Sequence, residues 1–151
     1  MNFSIGQKVI DTEIKALSLM KKTLSKNKFD KAVNVIYKTP GRIIISGIGK
    51  SGHIASKIAS TFSSIGSTSS FLHPSEANHG DLGMITRKDC AILISNSGET
   101  SELTNLILHC KKLKIPIISI TSEVDSTLSK ESLITLIIPK NVEACPLELA
   151  P

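Results

Sequence analysis

The fold is set by one glycine-rich segment, Gly47-Ile48-Gly49-Lys50-Ser51-Gly52-His53. It follows a β-branched apolar run, Ile43-Ile44-Ile45, and it leads into a segment with helical periodicity. In this arrangement a strand ends in a glycine turn and a helix follows directly. The backbone N–H groups of the turn and the positive end of the helix then point at one spot. Such a spot is suited to an anion, and best of all to phosphate.

Three kinds of phosphate site compete for this turn. The Walker A pattern fails, because its first glycine would fall on Ile44, inside the strand. Gly47, Gly49 and Gly52 satisfy the dinucleotide fingerprint, but the second strand should then end in an acidic residue, and here it ends at His73. We therefore favour a site for a small phosphorylated molecule with Lys50 at its edge. The remaining alternative is a glycine turn that serves only helix–strand packing.

Composition narrows the class of protein. The 151 residues, 40% of them apolar, predict one domain with its own core. The net charge of +5 comes from scattered lysines without interleaved aromatic residues, which favours anionic substrates and argues against a nucleic-acid surface. Three widely spaced cysteines predict neither disulfides nor a zinc site, and they fit a reducing cytoplasm. No stretch approaches the ~18 apolar residues of a membrane span.

The order of the predicted elements gives the fold class. Residues 1–40 form an N-terminal helical segment, with two helices that either cover the sheet or supply a subunit contact. From residue 41 to 151, strands alternate with helices, which predicts a three-layer α/β fold with a five-stranded parallel sheet. The strands are expected at residues 42–47, 68–72, 90–95, 115–121 and 133–138.

A strand order of 2-1-3-4-5 would place the point where the order reverses between the first and third strands, and ligands bind at such points. Two loops meet there. One is the glycine turn. The other is a loop that we call the serine loop, residues 95–102, Ser-Asn-Ser-Gly-Glu-Thr-Ser-Glu. Ser97 or Thr100 alone could be a helix N-cap, but four hydroxyls exceed what capping needs, so the loop predicts a phosphate cradle.

Two further segments carry candidate groups. Residues 73–81 hold two histidines and two acids at spacings that match no metal-ligand pattern; we interpret His73 as structural and His79 as the functional candidate. Glu143 follows the fifth strand and so arrives at the same sheet edge, where it is a plausible general base.

These motifs, in this order, resemble the sugar-isomerase (SIS) domain of arabinose-5-phosphate isomerases. The resemblance covers residues 41–151 and includes His73-Pro74, His79-Gly80-Asp81 and Glu143-Ala144-Cys145-Pro146. It implies reversible conversion of D-ribulose 5-phosphate and D-arabinose 5-phosphate, which feeds synthesis of the octulosonate sugar of lipopolysaccharide. It also implies a homo-oligomer that binds a small phosphorylated sugar.

The resemblance assigns roles by position. It makes Lys50, Glu102 and Glu143 catalytic, with no metal and no cofactor, because aldose–ketose isomerisation needs only a base and a cation near the developing oxyanion. The expected phosphate-binding and substrate-binding residues are Gly49, Ser51, Gly52, His79, Ser95, Ser97 and Thr100.

The sequence also departs from the family pattern. In the family, the Leu-Ala-Pro motif at residues 149–151 continues into a serine/threonine run, a helix and a catalytic histidine, and many members add two CBS domains. We therefore expect residues 1–151 alone to be a weak or inactive isomerase. A non-catalytic sugar-phosphate-binding or regulatory module is the main alternative, and a dinucleotide-binding protein is a remote one.

Overall fold

The structure, a computed structural model, describes residues 2–140 and Cys145. This part of the chain contains six α-helices and five strands, and from β1 onward the strands alternate with helices as the sequence predicts. Short 3₁₀ turns at Asp81–Met84 and Ser101–Leu103 precede β3 and α5. The elements are α1 (Asn2–Thr23), α2 (Lys26–Lys38), β1 (Ile43–Gly47), α3 (Gly49–Ser64), β2 (Ser69–Phe71), α4 (Pro74–Asn78), β3 (Cys90–Ile94), α5 (Thr104–Leu113), β4 (Ile117–Thr121), α6 (Thr127–Glu131) and β5 (Ile134–Ile137).

The five strands form one parallel sheet in the order β2-β1-β3-β4-β5, which confirms the predicted topology. All residues of β1 and of β3 are buried, as expected of central strands that are covered on both faces. Each strand begins within two residues of its predicted start. The apolar runs located the strands well because a doubly covered strand leaves no room for polar residues.

Two hydrophobic clusters lie on the two faces of the sheet. One contains side chains of α5, α6 and the β2–β3 connection, with Leu103, Leu106 and Leu128 almost fully buried. The other contains side chains of α2 and α3, with Ala32 and Ala59 buried against the sheet. Small alanines allow these two helices to approach the strands closely. Between α2 and α3 an apolar groove of about 680 Å³ remains open.

The N-terminal helical segment divides into two parts with different surroundings. α2 packs along β5 and covers one side of the sheet. Its start is fixed by Ser25, whose hydroxyl accepts a hydrogen bond from the Lys28 N–H at 3.4 Å. α1 makes no extended contact with any other described element, and its large apolar side chains, among them Phe3, Ile10 and Leu17, are exposed. The segment was predicted either to cover the sheet or to supply a subunit contact. The first alternative holds for α2, whereas α1 does not cover the sheet.

The amino ends of β1 and β3 are tied together by Asp89. This carboxylate is buried and accepts hydrogen bonds from the backbone N–H groups of Arg42 and Thr86, each at 2.7 Å. Gly41 lies so close that a Cβ there would come within 2.3 Å of the Asp89 carboxylate.

None of the helices in the described part of the chain is long and apolar enough to cross a membrane.

Candidate functional site

The glycine turn and the serine loop start from adjacent positions of neighbouring strands. In the register of β1 and β3, Gly47 pairs with Ile94, so the next residue of each chain segment leaves the sheet at the same level. Both segments then turn outward at the carboxyl edge of the sheet, where the strand order reverses. The two loops that the sequence singled out therefore start side by side at the edge where the crevice is predicted.

Glycine occupies three positions of the turn for different physical reasons. A Cβ at Gly47 would lie 2.9 Å from the Ser51 carbonyl oxygen and 3.0 Å from that of Ile94, and a Cβ at Gly52 would lie 2.8 Å from the Gly47 carbonyl oxygen. These two glycines are required for close packing of α3 on the sheet. Gly49 has a positive φ of 57° and nothing within 4 Å of its Cβ position, so it alone combines glycine-only geometry with open space.

The N-terminus of α3 has the features of an anion site. The N-cap residue, Ile48, has an apolar side chain and makes no side-chain cap. The first N–H groups of a helix have no intrahelical acceptor, so the start of α3, which includes Gly49 and Ser51, can donate to an anion at this edge of the sheet. Gly52 N–H, in contrast, already donates to the Ile48 carbonyl at 3.2 Å. Gly52 thus serves packing and helix geometry, and its predicted contact with phosphate remains a prediction.

Ser95 organises the serine loop from within. Its side chain is 3% exposed. Its Oγ accepts the Gly98 N–H at 3.0 Å and lies 2.7 Å from the Thr100 Oγ1. This pair of bonds holds the loop closed around Ser95. If the Ser95 hydroxyl donates to Thr100, the Thr100 hydroxyl keeps its own proton for a ligand.

The outer hydroxyls of the serine loop are accessible. Ser97 is exposed and its Oγ accepts the Glu99 N–H at 3.2 Å, while Thr100 is half-buried. Thr100 occupies the N-cap position of the 3₁₀ turn but makes no side-chain cap, because its hydroxyl is bonded to Ser95. The alternative in which Thr100 is only a helix cap is therefore wrong.

Glu102 lies in the 3₁₀ turn that continues into α5. It is exposed, and its Oε2 accepts a hydrogen bond from the Ser101 Oγ at 3.0 Å, which orients the carboxylate. Lys50 is likewise exposed, in the first turn of α3. Both predicted catalytic side chains therefore stand at the carboxyl edge of the sheet and are accessible to a ligand.

The segment after β2 contains α4 (Pro74–Asn78), a helix that the sequence analysis does not predict. His73 Nδ1 accepts the Ser75 N–H at 3.3 Å and caps this helix, so His73 is structural, as expected. His79 is exposed at the end of α4. The neighbouring Asn78 accepts a hydrogen bond from Asn105 at 2.8 Å, which holds this end of α4 against the first turn of α5, near Glu102.

One residue that the sequence analysis did not single out fixes the serine loop in place. Glu99 Oε1 accepts the backbone N–H of Thr127 at 2.7 Å, and the Gly98 carbonyl accepts that of Leu128 at 3.0 Å. The loop is thereby joined to the N-terminus of α6, which is distant in sequence. Two acidic residues stand among the hydroxyl residues of this loop, and the sequence does not indicate that Glu99 makes such a long-range hydrogen bond. The backbone bond from Thr127 lowers the pKa of the Glu99 carboxyl.

This pKa shift predicts a pH-dependent contribution to stability. A carboxyl whose pKa is lower in the folded protein stabilises the fold above its ordinary pKa, and the effect disappears as the pH falls through the lowered value. We expect Glu99→Ala to lower the melting temperature at pH 7, and we expect the difference to shrink in acid as the pH falls through the lowered pKa of Glu99. Thermal unfolding followed by circular dichroism across this pH range measures it. Asp125→Ala, an exposed acid in the same region, is the control. A difference that persists unchanged into acid would contradict the role of Glu99.

The third predicted catalytic residue, Glu143, lies outside the described residues, so its position relative to Lys50 and Glu102 is not part of the site described above. The Glu143 assignment stays a prediction.

The fold and the site loops match known proteins. Residues 36–151 match the model of the SIS domain family. Arabinose 5-phosphate isomerase KdsD of Francisella tularensis strain SCHU S4 is 49% identical over 142 residues, which is 92% of this chain and 43% of the relative. The KdsD of Escherichia coli K12 is 43% identical over 146 residues, 97% of this chain and 44% of the relative.

The backbone of this chain is also similar to that of a solved structure. The structure of E. coli CFT073 c3406 in complex with arabinose 5-phosphate superposes with a TM-score of 0.92 at 38% identity and covers 99% of this chain and 79% of that one. This chain spans less than half the length of the two curated isomerases described above. The matched family model and the identities to its members lead to one conclusion: the chain belongs to the SIS domain family.

Proposed function

We propose that the chain binds a pentose phosphate between the glycine turn and the serine loop, and that it supplies this site to an enzyme that interconverts ribulose 5-phosphate and arabinose 5-phosphate. The observation that carries the proposal is the adjacent departure of the two loops from Gly47 and Ile94 at the reversal of strand order. The similarity to isomerases named for arabinose 5-phosphate, and to a structure in complex with that sugar phosphate, supports the choice of sugar.

In this proposal the phosphate is held by neutral donors. The start of α3, which has no side-chain cap, offers the N–H groups of Gly49 and Ser51, and the serine loop offers the hydroxyls of Ser97 and Thr100. Oriented N–H groups and hydroxyls bind a phosphate dianion without a metal ion. Ser95 acts as a positioning residue, because it is buried and holds the loop through Gly98 and Thr100.

The proposed chemistry moves one proton between adjacent carbons. A carboxylate removes a proton from C1 of ribulose 5-phosphate, and the C2 oxygen gains negative charge. The C2 oxygen then takes up a proton, the C1 hydroxyl gives up its proton, and the carboxylic acid returns the carbon-bound proton to C2, which gives the aldose. We assign the base to Glu102 or Glu143 and the stabilisation of the C2 oxygen to Lys50. A cation that meets charge formed only in the transition state accelerates the step itself rather than binding.

We extend the proposal to the setting of the enzyme: a cytoplasmic homo-oligomer that acts on a small sugar phosphate, with neither nucleic acid nor membrane as a partner. The exposed apolar face of α1 supports self-association, since an amphipathic helix in water needs a cover.

Calorimetric titration tests the binding site. Arabinose 5-phosphate should bind more tightly than inorganic phosphate or arabinose, because the site recognises both parts of the ligand. Thr100→Val keeps the shape of the side chain and removes the hydroxyl, and it should weaken binding on the order of ten- to a hundredfold, as expected for one hydrogen bond to a charged group.

Thr61→Val is the matched control, because Thr61 is exposed near the far end of α3 and its hydroxyl bonds only to its own helix. Its affinity should equal that of the unchanged protein. Heat released with NAD but not with arabinose 5-phosphate would favour a dinucleotide-binding protein and overturn the proposal. Equal affinities for arabinose 5-phosphate and inorganic phosphate would contradict a sugar site.

A further inference from the structure

A cleft of about 650 Å³ lies at the amino edge of the sheet, opposite to the edge that carries the proposed sugar-phosphate site. One wall is the second half of α2 with the residues that follow it, 31–40. The other walls are the turn at 87–89 before β3 and the residues at the starts of β4 and β5, 116 and 133–134. This cleft, which we call the basic cleft, shares no described residue with the glycine turn or the serine loop.

Positive charge gathers around the basic cleft. Of the described residues that line it, four are basic, and all four are exposed: Lys31, Lys38, Arg87 and Lys88. They come from two segments that are distant in sequence, so the fold and not a local charge run brings them together. None of the four forms an ion pair with an acid among residues 2–140. A cleft whose walls carry charge of one sign raises the local concentration of the opposite ion.

Asp89 is the one acid among the described residues that line the cleft, and it does not balance these charges. It is buried, and each of its carboxylate oxygens already accepts a short backbone hydrogen bond: Oδ1 from the Arg42 N–H and Oδ2 from the Thr86 N–H, both at 2.7 Å. The carboxylate thus holds the ends of β1 and β3 together below the surface. The basic side chains are left to attract an anion from solution.

The floor of the basic cleft is apolar. Val35 of α2 and Pro116 before β4 are half-buried, and Leu133 directly before β5 is 67% exposed. Pro40 and Pro116 have no N–H group to donate, and their rings present flat apolar surface. A flat ring laid on this floor would remove the exposed leucine and the proline rings from water. The cleft therefore offers an apolar floor and a cationic rim to the same ligand.

We propose that the basic cleft binds a small organic anion that carries a flat apolar ring, with the chemistry of a nucleoside monophosphate. The ring lies on the floor at Pro116 and Leu133, and the phosphate lies between the end of α2 and the turn at 87–89. The Gly41 N–H donates to the Lys88 carbonyl at 2.9 Å, which holds this turn beside the end of α2. The inference goes beyond the proposed function and does not depend on it, because the two sites lie at opposite edges of the sheet.

The size of the cleft favours a small ligand over a partner protein. Its volume of about 650 Å³ lies within the range of roughly 300–1,000 Å³ that ligand pockets span. Lys31 and Lys38, at the two ends of its α2 wall, are separated by two helical turns, which is about 10 Å at a rise of 1.5 Å per residue. A stable protein interface needs about 800 Å² on each partner, which a cleft of this length does not provide.

Calorimetric titration at low ionic strength tests both parts of the ligand. Adenosine 5′-monophosphate (AMP) should bind with a dissociation constant on the order of 0.1 mM, since exposed cations contribute little each. Adenosine lacks the charge and inorganic phosphate lacks the ring, so each should bind at least about tenfold more weakly. Added salt should weaken the binding of AMP, because the cations are exposed. Equal affinities for AMP and inorganic phosphate would show a charged surface only and would overturn the proposal.

Charge reversal tests the rim. The double variant Lys38→Glu with Lys88→Glu should weaken the binding of AMP by at least about tenfold, because two attracting charges become repelling ones. Lys57→Glu with Lys112→Glu is the matched control: both lysines are exposed, on α3 and α5, and neither lines the cleft, yet the net charge changes by the same amount. Circular dichroism verifies that both double variants are folded. Equal losses of affinity in the two would mean that AMP responds to net charge alone, and the cleft would not be its site.

Leu133→Ser tests the floor. The side chain is mostly exposed, so the variant should fold, and it should weaken the binding of AMP severalfold while leaving that of inorganic phosphate unchanged. Leu108→Ser is the control, because Leu108 is 58% exposed on α5 and does not line the cleft. An unchanged affinity of Leu133→Ser for AMP would show that the ring does not lie on this floor.

The sugar-phosphate site is the competing location for AMP, because it too is proposed to bind a phosphate group. AMP should bind with the same affinity when arabinose 5-phosphate is present at saturation. In amide NMR spectra AMP should shift the signals of residues 31–40 and 87–89 and leave those of the serine loop in place, a result that does not require arabinose 5-phosphate to bind. Displacement of AMP by arabinose 5-phosphate, with shifts in the serine loop, would overturn this inference and leave the proposed function intact. Failure of arabinose 5-phosphate to bind would overturn the proposed function alone.

Discussion

Replacing Lys50 with methionine should lower isomerase turnover by about 10²–10³-fold in any preparation that contains residues 1–151 and interconverts ribulose 5-phosphate and arabinose 5-phosphate. Methionine keeps the unbranched apolar stem and removes the charge. The enediol intermediate carries negative charge on an oxygen that is neutral in the substrate, so the missing cation affects the transition state far more than the bound sugar. The effect should therefore appear in kcat, with KM changed little.

Lys57→Met provides the control for Lys50→Met. Lys57 is exposed on the same helix, about two turns further along α3 and away from the crevice, so its loss should leave kcat within a factor of two. Calorimetry with arabinose 5-phosphate completes the test. If Lys50→Met abolished binding together with turnover, Lys50 would be a ligand-binding residue rather than a catalytic one. Undiminished turnover would show that the base alone suffices.

The same experiment bears on the alternative of a regulatory module. A protein that only senses sugar phosphates needs the donors of the glycine turn and the serine loop, but it does not need Lys50 and Glu102 at their edge. Both side chains are exposed and stand at the carboxyl edge of the sheet, where they add little to stability. Charged residues of both signs beside the proposed phosphate site are what the proposed isomerase needs and what a sensor does not.

The sheet could be predicted from the sequence because its determinants are local. The strands are buried apolar runs, the glycine turn marks the start of α3, and a crossover between parallel strands has one favoured hand. α4 was missed because it has only five residues, and it is held by the His73 cap and by contacts with α5. Short helices whose stability comes from tertiary contacts leave no periodic signal in the sequence.

The site could be predicted only as a set of residues. The hydroxyls of the serine loop look alike in the sequence, yet Ser95 is buried as an internal support while Ser97 is exposed. The difference arises from the backbone turn at Gly98 and from the long-range bond of Glu99 to Thr127, neither of which follows from composition or spacing. Similarly, α1 was predicted as an amphipathic helix, but the partner of its apolar face depends on where the helix projects.

Gly98→Ala should have the largest effect on stability among single substitutions in the site loops. Gly98 has a positive φ of 65°, and a Cβ there would lie 2.1 Å from the Ser126 Oγ and 2.4 Å from its Cβ. The loop would have to move away from α6 and would lose the bond between Glu99 and Thr127. Backbone strain and overpacking together should cost about 2–4 kcal/mol. For a chain of this size that is a decrease in melting temperature of roughly 5–15 °C.

Gly66→Ala separates the two causes. Gly66 also has a positive φ, 86°, but nothing lies within 4 Å of its Cβ position, so alanine there carries only the backbone penalty of about 1 kcal/mol. The difference between the two variants measures the clash with Ser126. Gly98→Ala should also weaken the binding of arabinose 5-phosphate in the protein that remains folded, whereas Gly66→Ala should not. Equal melting temperatures for the two variants would contradict this account, because the Gly98 Cβ position lies 2.1 Å from the Ser126 Oγ and a methyl group fits there only if the serine loop moves away from α6.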